Sequence, residues 1–362
     1  MKTNRQNQRQ KRAFIIGLLG FLWLFPAVPA QESNEAIVKS EFISDNPPTP
    51  SSHASTIAET RSGLAAAWFG GTREGNMDVS IWISRHNGQQ WSPAAELING
   101  ADEAEHVRYP CWNPVLFRSR YGPLYLFYKV GRSPSTWWGM VMSSENEGQT
   151  WTRPKRLPKD IYGPIRNKPI ELPDGTILCG SSTENAGWRV HIERTRYPFG
   201  EWTKTGPLNS AMEYGAIQPT FLLHDPERLQ ILCRTKSGVV TECWSEDKGF
   251  TWHRMTSTGL PNPNSAIDAL MLHDGRSLLV FNPTTSGRGV LSLAMSKDGR
   301  FWNSAVELEN SPGEEFSYPA IVQSSDGRLH ITYTWKRQKI KHVVIDPFRL
   351  KAGPLLNPPP AE

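Results

Sequence analysis

The chain has 362 residues, with 40 Lys and Arg against 35 Asp and Glu, 14 Trp, 29 Gly and four Cys. Five of the basic residues and none of the acidic ones fall in the first 30 positions, which leaves the remainder balanced at 35 of each sign. The basic excess therefore sits at the N-terminus, and a nucleic-acid partner is not expected.

Those first 30 residues read as an export signal. Basic Lys2, Arg5, Arg9, Lys11 and Arg12 precede an apolar run from Ala13 to Phe25, and small Val28 and Ala30 precede Gln31. This order matches a signal peptide cleaved after Ala30, which implies a secreted or periplasmic protein. The apolar run is too short for a stable membrane anchor. Residues 31–50 read as an N-terminal linker, 51–350 as one folded domain and 351–362 as a C-terminal tail.

Short alternating or β-branched runs follow at 79–83, 124–128, 176–178, 229–233, 278–281 and 330–333. Long apolar patterns of helical period are missing, so the chain reads as all-β. Cys111, Cys179, Cys233 and Cys243 allow three disulfide pairings, or four buried thiols. A two-residue turn at Ser237-Gly238 would leave Cys233 and Cys243 out of register. Their spacing does not suggest a zinc site, and no metal or cofactor is expected.

A turn motif then recurs in order. Its best copy is Ser245-Glu-Asp-Lys-Gly-Phe-Thr-Trp252, where Asp can bond nearby backbone N–H groups and Gly accepts positive φ. Weaker copies end at Trp91, Trp151, Trp202 and Trp302, with His86 and Asn146 in the Asp place of the first two. The steps between these tryptophans are 60, 51, 50 and 50 residues. A period of about 50 residues suits a four-stranded antiparallel propeller blade. Five marked repeats and a last segment closing against the start of the domain predict a six-bladed β-propeller with Asp-box repeats. The boxes themselves read as structural turns.

Such repeats in an exported chain resemble the sialidase superfamily, over residues 52–345. In that superfamily an Arg opens the first blade and an Asp acid/base follows; here His53 takes the Arg place and Asp78 stands 25 residues on. The Glu that partners the nucleophile corresponds to Gln218, and a second Arg to Arg234, sixteen residues later. The third Arg corresponds to Arg288, and the nucleophilic Tyr to Tyr318, thirty residues beyond. The resemblance thus implies catalytic roles for Asp78 and Tyr318, with His53 and Gln218 as departures. His53 replaces a fixed charge with one only partly present near neutral pH, and Gln218 cannot take a proton from Tyr318. Arg234 and Arg288 would clamp a carboxylate through charge-assisted bonds.

Other residues expected to reach substrate at the mouth are Arg73 on a Gly-rich loop, Arg108, Lys168 and Arg337. Glu184, Asn264, Asp268 and Asn282 are polar residues of the blades around it. Trp112, Trp137, Trp138 and Trp188 break the box pattern; packing is expected for most of them and sugar stacking for some. The resemblance implies a monomeric exo-glycosidase acting on a terminal acidic sugar of a glycan. A lyase acting on uronate polymers and a non-catalytic glycan-binding propeller are the alternatives.

Overall fold

The computed structural model describes residues 35–358 apart from 103–105, 121 and 198. The export signal read at 1–30 lies outside them. Six four-stranded antiparallel sheets follow one another as blades of a propeller, each with its first strand innermost. The inner strands are Ser51–Thr60, Cys111–Arg118, Ile170–Glu171, Ala216–Leu223, Asp268–Met271 and Phe316–Gln323. The core lies between blades: Leu222, Leu232, Leu279, Phe281 and Trp302, for instance, pack from neighbouring sheets into one buried cluster.

Residues 31–50 are more than the linker expected of them. Within them Ile37–Phe42 pairs antiparallel with Lys339–Ile345 and supplies the outer strand of the sixth blade. The ring is therefore closed by the two ends of the chain, which removes a free sheet edge. The segment beyond 350, expected as a tail, also packs. Asn357 accepts the Trp302 N–H at 2.8 Å, and Leu355 bridges to Asn303 in the fifth blade.

The boxes behave as turns. Asp247 accepts the Thr251 N–H at 2.8 Å and its hydroxyl at 2.6 Å, while the Trp252 indole donates to Gly249 O at 3.1 Å. Gly249 holds φ +75°, and a Cβ there would stand 3.1 Å from Leu178 Cδ1, so the position requires glycine. Where His86 replaces Asp, the tryptophan finds another partner: the Trp91 indole donates to His342 of the sixth blade at 3.3 Å. All four cysteines are buried free thiols. Cys233 faces Thr241 and Cys243 faces Ile231, so the two are out of register as expected, although the connection spans the three residues 236–238 rather than two.

Four inner strands carry the same irregularity. Pairing with the second strand breaks after His53, Trp112, Ile217 and Ser317, and resumes at Thr56, Val115, Thr220 and Ala320. The first unpaired residue in each gap has positive φ: Ala54 (54°), Asn113 (40°), Gln218 (58°) and Tyr318 (53°). Pro114, Pro219 and Pro319 fill the second place in three of them. Proline has no N–H, so leaving the ladder there orphans no donor.

Below this level the axis is tied by one carboxylate. Asp268 accepts from Thr220 Oγ1 at 2.7 Å, Ile321 N at 2.9 Å and Lys168 Nζ at 2.8 Å, joining the third, fourth, fifth and sixth blades. Asp268→Ala would strand the Lys168 charge and leave buried donors without a partner. A loss of about 3–5 kcal/mol in urea unfolding is expected; a loss below about 1 kcal/mol would show that the axis does not depend on this carboxylate.

Candidate functional site

Tyr318 and Gln218 occupy the same bulge position in blades six and four. Arg234, opposite Ile217 in the neighbouring strand, reaches both: Nη1 donates to Tyr318 Oη at 2.9 Å and to Gln218 Oε1 at 3.2 Å, and Nε donates to Asn264 at 3.1 Å. Asn167 donates to the Gln218 carbonyl at 3.1 Å. Among the described residues no carboxylate lies within ion-pair distance of Arg234, so its charge is open to a ligand.

Three more guanidiniums surround this group. Arg166, fully buried on the third blade, donates to the carbonyls of Tyr318 at 2.6 Å and Pro319 at 2.9 Å. Burial pushes it down to about 10, which still leaves it charged at neutral pH. Arg288 pairs with Glu315 at 3.2 Å, and Arg337, at the tip of the last hairpin, pairs with the same Glu315 at 3.0 Å and with Glu74. Burial raises the Glu315 carboxyl, but hydrogen bonds from Arg337 and Ser317 outweigh it and hold the group below the usual carboxylate range. One ionised carboxylate thus sets the positions of two guanidiniums. The charges of Arg166, Arg234, Arg288 and Arg337 all act on the residue between them, His53.

His53 is fully buried, its ring centroid 4.2 Å from that of Tyr318 and 5.4 Å from that of Phe69. Neither ring nitrogen has a hydrogen-bond partner among the described residues. Burial first, then the charges of Arg337, Arg288, Arg166 and Arg234, hold the imidazole well below the ordinary histidine range. It is neutral near physiological pH, so it adds no charge to the clamp.

Asp78 lies exposed on the Gly-rich loop. Its Oδ2 accepts from Thr72 N at 2.8 Å and Thr72 Oγ1 at 2.6 Å. The bond from the Thr72 hydroxyl is the main reason its carboxyl lies below the ordinary aspartate range. That favours the ionised form, whereas a proton donor must hold its proton. Arg108 braces this segment from below, donating to Asp78 O at 2.8 Å and Ser80 Oγ at 2.7 Å, and Arg73 is exposed on the same loop.

Lys168 departs from expectation. It pairs with Asp268 on the axis and lines a depression with Ile57, Arg118, Val322 and Gln323, residues from the far halves of their strands. The physical reason is that the third blade presents Arg166 to the Tyr318 backbone, which leaves Lys168 deeper along the axis. The irregular tryptophans divide as well. Trp112 and Trp137 are packed with Ile165, while Arg156 lies 4.6 Å above Trp138 and Lys236 lies 4.4 Å above Trp188.

The model of the BNR repeat-like domain matches residues 62–331. The chain belongs to the BNR repeat-like domain family. Solved structures agree on the fold. A Hadza microbial sialidase is 17% identical with a TM-score of 0.70, over 84% of this chain and 67% of that one. The NanB sialidase from Streptococcus pneumoniae is 12% identical with a TM-score of 0.68, over 85% and 70%. The intramolecular trans-sialidase from Ruminococcus gnavus is 13% identical with a TM-score of 0.68, over 89% and 100%. No curated protein matches the chain in sequence. This BNR repeat-like propeller shares its fold with these sialidases.

Two of its mouth residues, Arg166 and Glu315, escape a reading by motif. Arg166 carries no spacing signal, although Glu315 stands three residues before Tyr318. The buried histidine makes a testable statement about stability. The folded protein keeps His53 unprotonated, while the unfolded chain binds its proton near 6.5. Its contribution is therefore intact above that pH and lost as pH falls below it. His330, lowered to about 4 by burial and then by His342, acts in the same direction. Urea unfolding across this range should lose stability toward acid, and His53→Gln should reduce the slope by up to about 1.4 kcal/mol per pH unit. An unchanged slope would contradict a neutral His53.

Proposed function

We propose that the protein is an exported exo-glycosidase of sialidase type that acts on a terminal acidic sugar of a glycan. The observation that carries this reading is the 2.9 Å bond from Arg234 to the Tyr318 hydroxyl, in a mouth shared with Arg288 and Arg337. Among the described residues Arg234 forms no ion pair, and it takes the carboxylate of the sugar. Arg288 and Arg337, held apart by Glu315, complete the clamp. Arg337 thus brings from the last blade the charge that His53 lacks in the first.

Tyr318 then stands beside the bound sugar. As the glycosidic bond lengthens, positive charge grows on the ring, and the phenolic oxygen stabilises it. Gln218 has no oxygen basic enough to take the phenolic proton, so water rather than Tyr318 attacks the anomeric carbon. The sialidases of similar fold support the substrate class, and the departures at His53 and Gln218 favour an acidic sugar other than sialic acid as readily as sialic acid itself.

One observation favours a second reading. His53 has two ring nitrogens without a hydrogen-bond partner among the described residues and lies beside the carboxylate clamp, and a lyase would use such a neutral imidazole to remove the proton next to a uronate carboxylate. A screen of purified protein against terminal sialic acids, uronosides and uronate polymers separates the two. Released acidic monosaccharide without new ultraviolet absorbance is expected; growing absorbance from unsaturated ends would replace hydrolysis with elimination. Tyr318→Phe should lower kcat by about 10²–10³-fold, and Arg234→Lys should raise KM because lysine lacks the planar fork. Full turnover by Tyr318→Phe, or a preference for neutral hexosides, would overturn the proposal.

A further inference from the structure

Two arginines of the clamp come from adjacent blades, Arg234 from the fourth and Arg288 from the fifth, and the chain crosses from one blade to the next between Pro261 and Asp268. The sequence at this crossover is Asn262-Pro263-Asn264-Ser265. Proline in the second place and a left-handed residue in the third form the pattern of a type II turn, and Asn264 has φ +57°. The Asn262 side chain closes the turn by accepting the Ser265 N–H at 2.8 Å. The Asn262 N–H donates to Gly238 O at 2.9 Å, on the hairpin that carries Arg234.

Asn264 touches both arginines. Its Oδ1 accepts from Arg234 Nε at 3.1 Å, and its main-chain carbonyl accepts from Arg288 Nη2 at 2.9 Å. Glu315 holds Arg288 Nη1, while Tyr318 and Gln218 take Arg234 Nη1. Among the described residues this leaves Arg234 Nη2 for a ligand. The guanidinium is planar, so whatever holds Nε and Nη1 also aims Nη2.

We propose that Asn264 is the positioning residue of the clamp, holding Arg234 by its side chain and Arg288 by its backbone so that both present N–H groups to one sugar carboxylate. The inference rests on the acidic-sugar reading and concerns how the site recognises charge. The residue type fits the task. Glycine would adopt the turn but offers no oxygen to Arg234. Aspartate offers an oxygen with a negative charge, which would pair with Arg234 and compete with the ligand. Asparagine is at home in the left-handed position and supplies a neutral oxygen, so the guanidinium is oriented without being neutralised.

Titration calorimetry of the full chain with sialic acid and with glucuronic acid, each beside its methyl ester, tests the assignment. Asn264→Gly keeps the turn and the Arg288 contact and removes the oxygen at Arg234 Nε. It should weaken the preferred acid by about 5–10-fold and leave its ester near wild type. Asn264→Asp keeps an oxygen there but adds charge, and should weaken the acid by at least about tenfold, again without moving the ester. A role confined to folding of the turn would shift the unfolding midpoint, or acid and ester together, and leave their ratio alone. An acid-to-ester ratio that stays at the wild-type value in Asn264→Gly overturns the assignment, as does equal loss of acid and ester. Should that variant not fold, an unchanged ratio in Asn264→Asp overturns it in the same way. A wild type that binds neither acid more tightly than its ester sinks the acidic-sugar reading instead.

Discussion

The bulged start of the inner strands is the constraint on which the mouth depends. Four strands leave their ladders for two residues, and the first of each pair takes a left-handed conformation that costs a non-glycine residue of order 1–3 kcal/mol. The backbone groups set free in this way are bound by side chains of other blades. Ala54 N donates to Thr334 Oγ1 at 3.1 Å, Gln218 N to Ser182 Oγ at 3.3 Å, and Arg166 donates to the Tyr318 carbonyl at 2.6 Å. A local break in pairing thereby becomes a set of bonds between blades. Tyr318 is held through both its backbone and its hydroxyl, and neighbouring blades determine where it stands.

The electrostatics follow from this packing. Arg166, Arg234, Arg288 and Arg337 converge from four blades, and among the described residues only Glu315 and Glu74 pair with them. A charged imidazole at His53 would add a fifth positive group without a hydrogen-bond partner, and burial together with the arginines keeps it neutral. The exchange of Arg for His in the first blade is thus consistent with the Arg337 guanidinium arriving from the sixth. Glu315 and Asp78 are held ionised by donors bonded directly to them.

Much of the fold is legible in the sequence, because the boxes are local. Ser, Asp, Gly and Trp act within one turn, and their period of about 50 residues counts the blades without tertiary information. Asn113-Pro114, Gln218-Pro219 and Tyr318-Pro319 are a further local signal, two blades apart each time, and they mark the bulges. The strand Ile37–Phe42 shows no such mark. Its half-exposed sequence becomes a strand only because Lys339–Ile345 waits for a partner at the far end of the chain. The same limit applies to the site. Arg234, Arg288 and Tyr318 sit at positions that the family resemblance picks out. Arg166 and the axial placement of Lys168 depend on where the third blade enters the axis, which spacing does not encode.

The central claim is that this arginine-lined mouth reads a carboxylate on a sugar. Isothermal titration calorimetry with an acidic monosaccharide and with its methyl ester tests it directly, since the two differ in charge and hardly in shape. Charge-assisted hydrogen bonds are worth about 1.5–3 kcal/mol each, so the acid should bind at least about tenfold more tightly than the ester. Equal affinity for the acid and its ester would contradict the account.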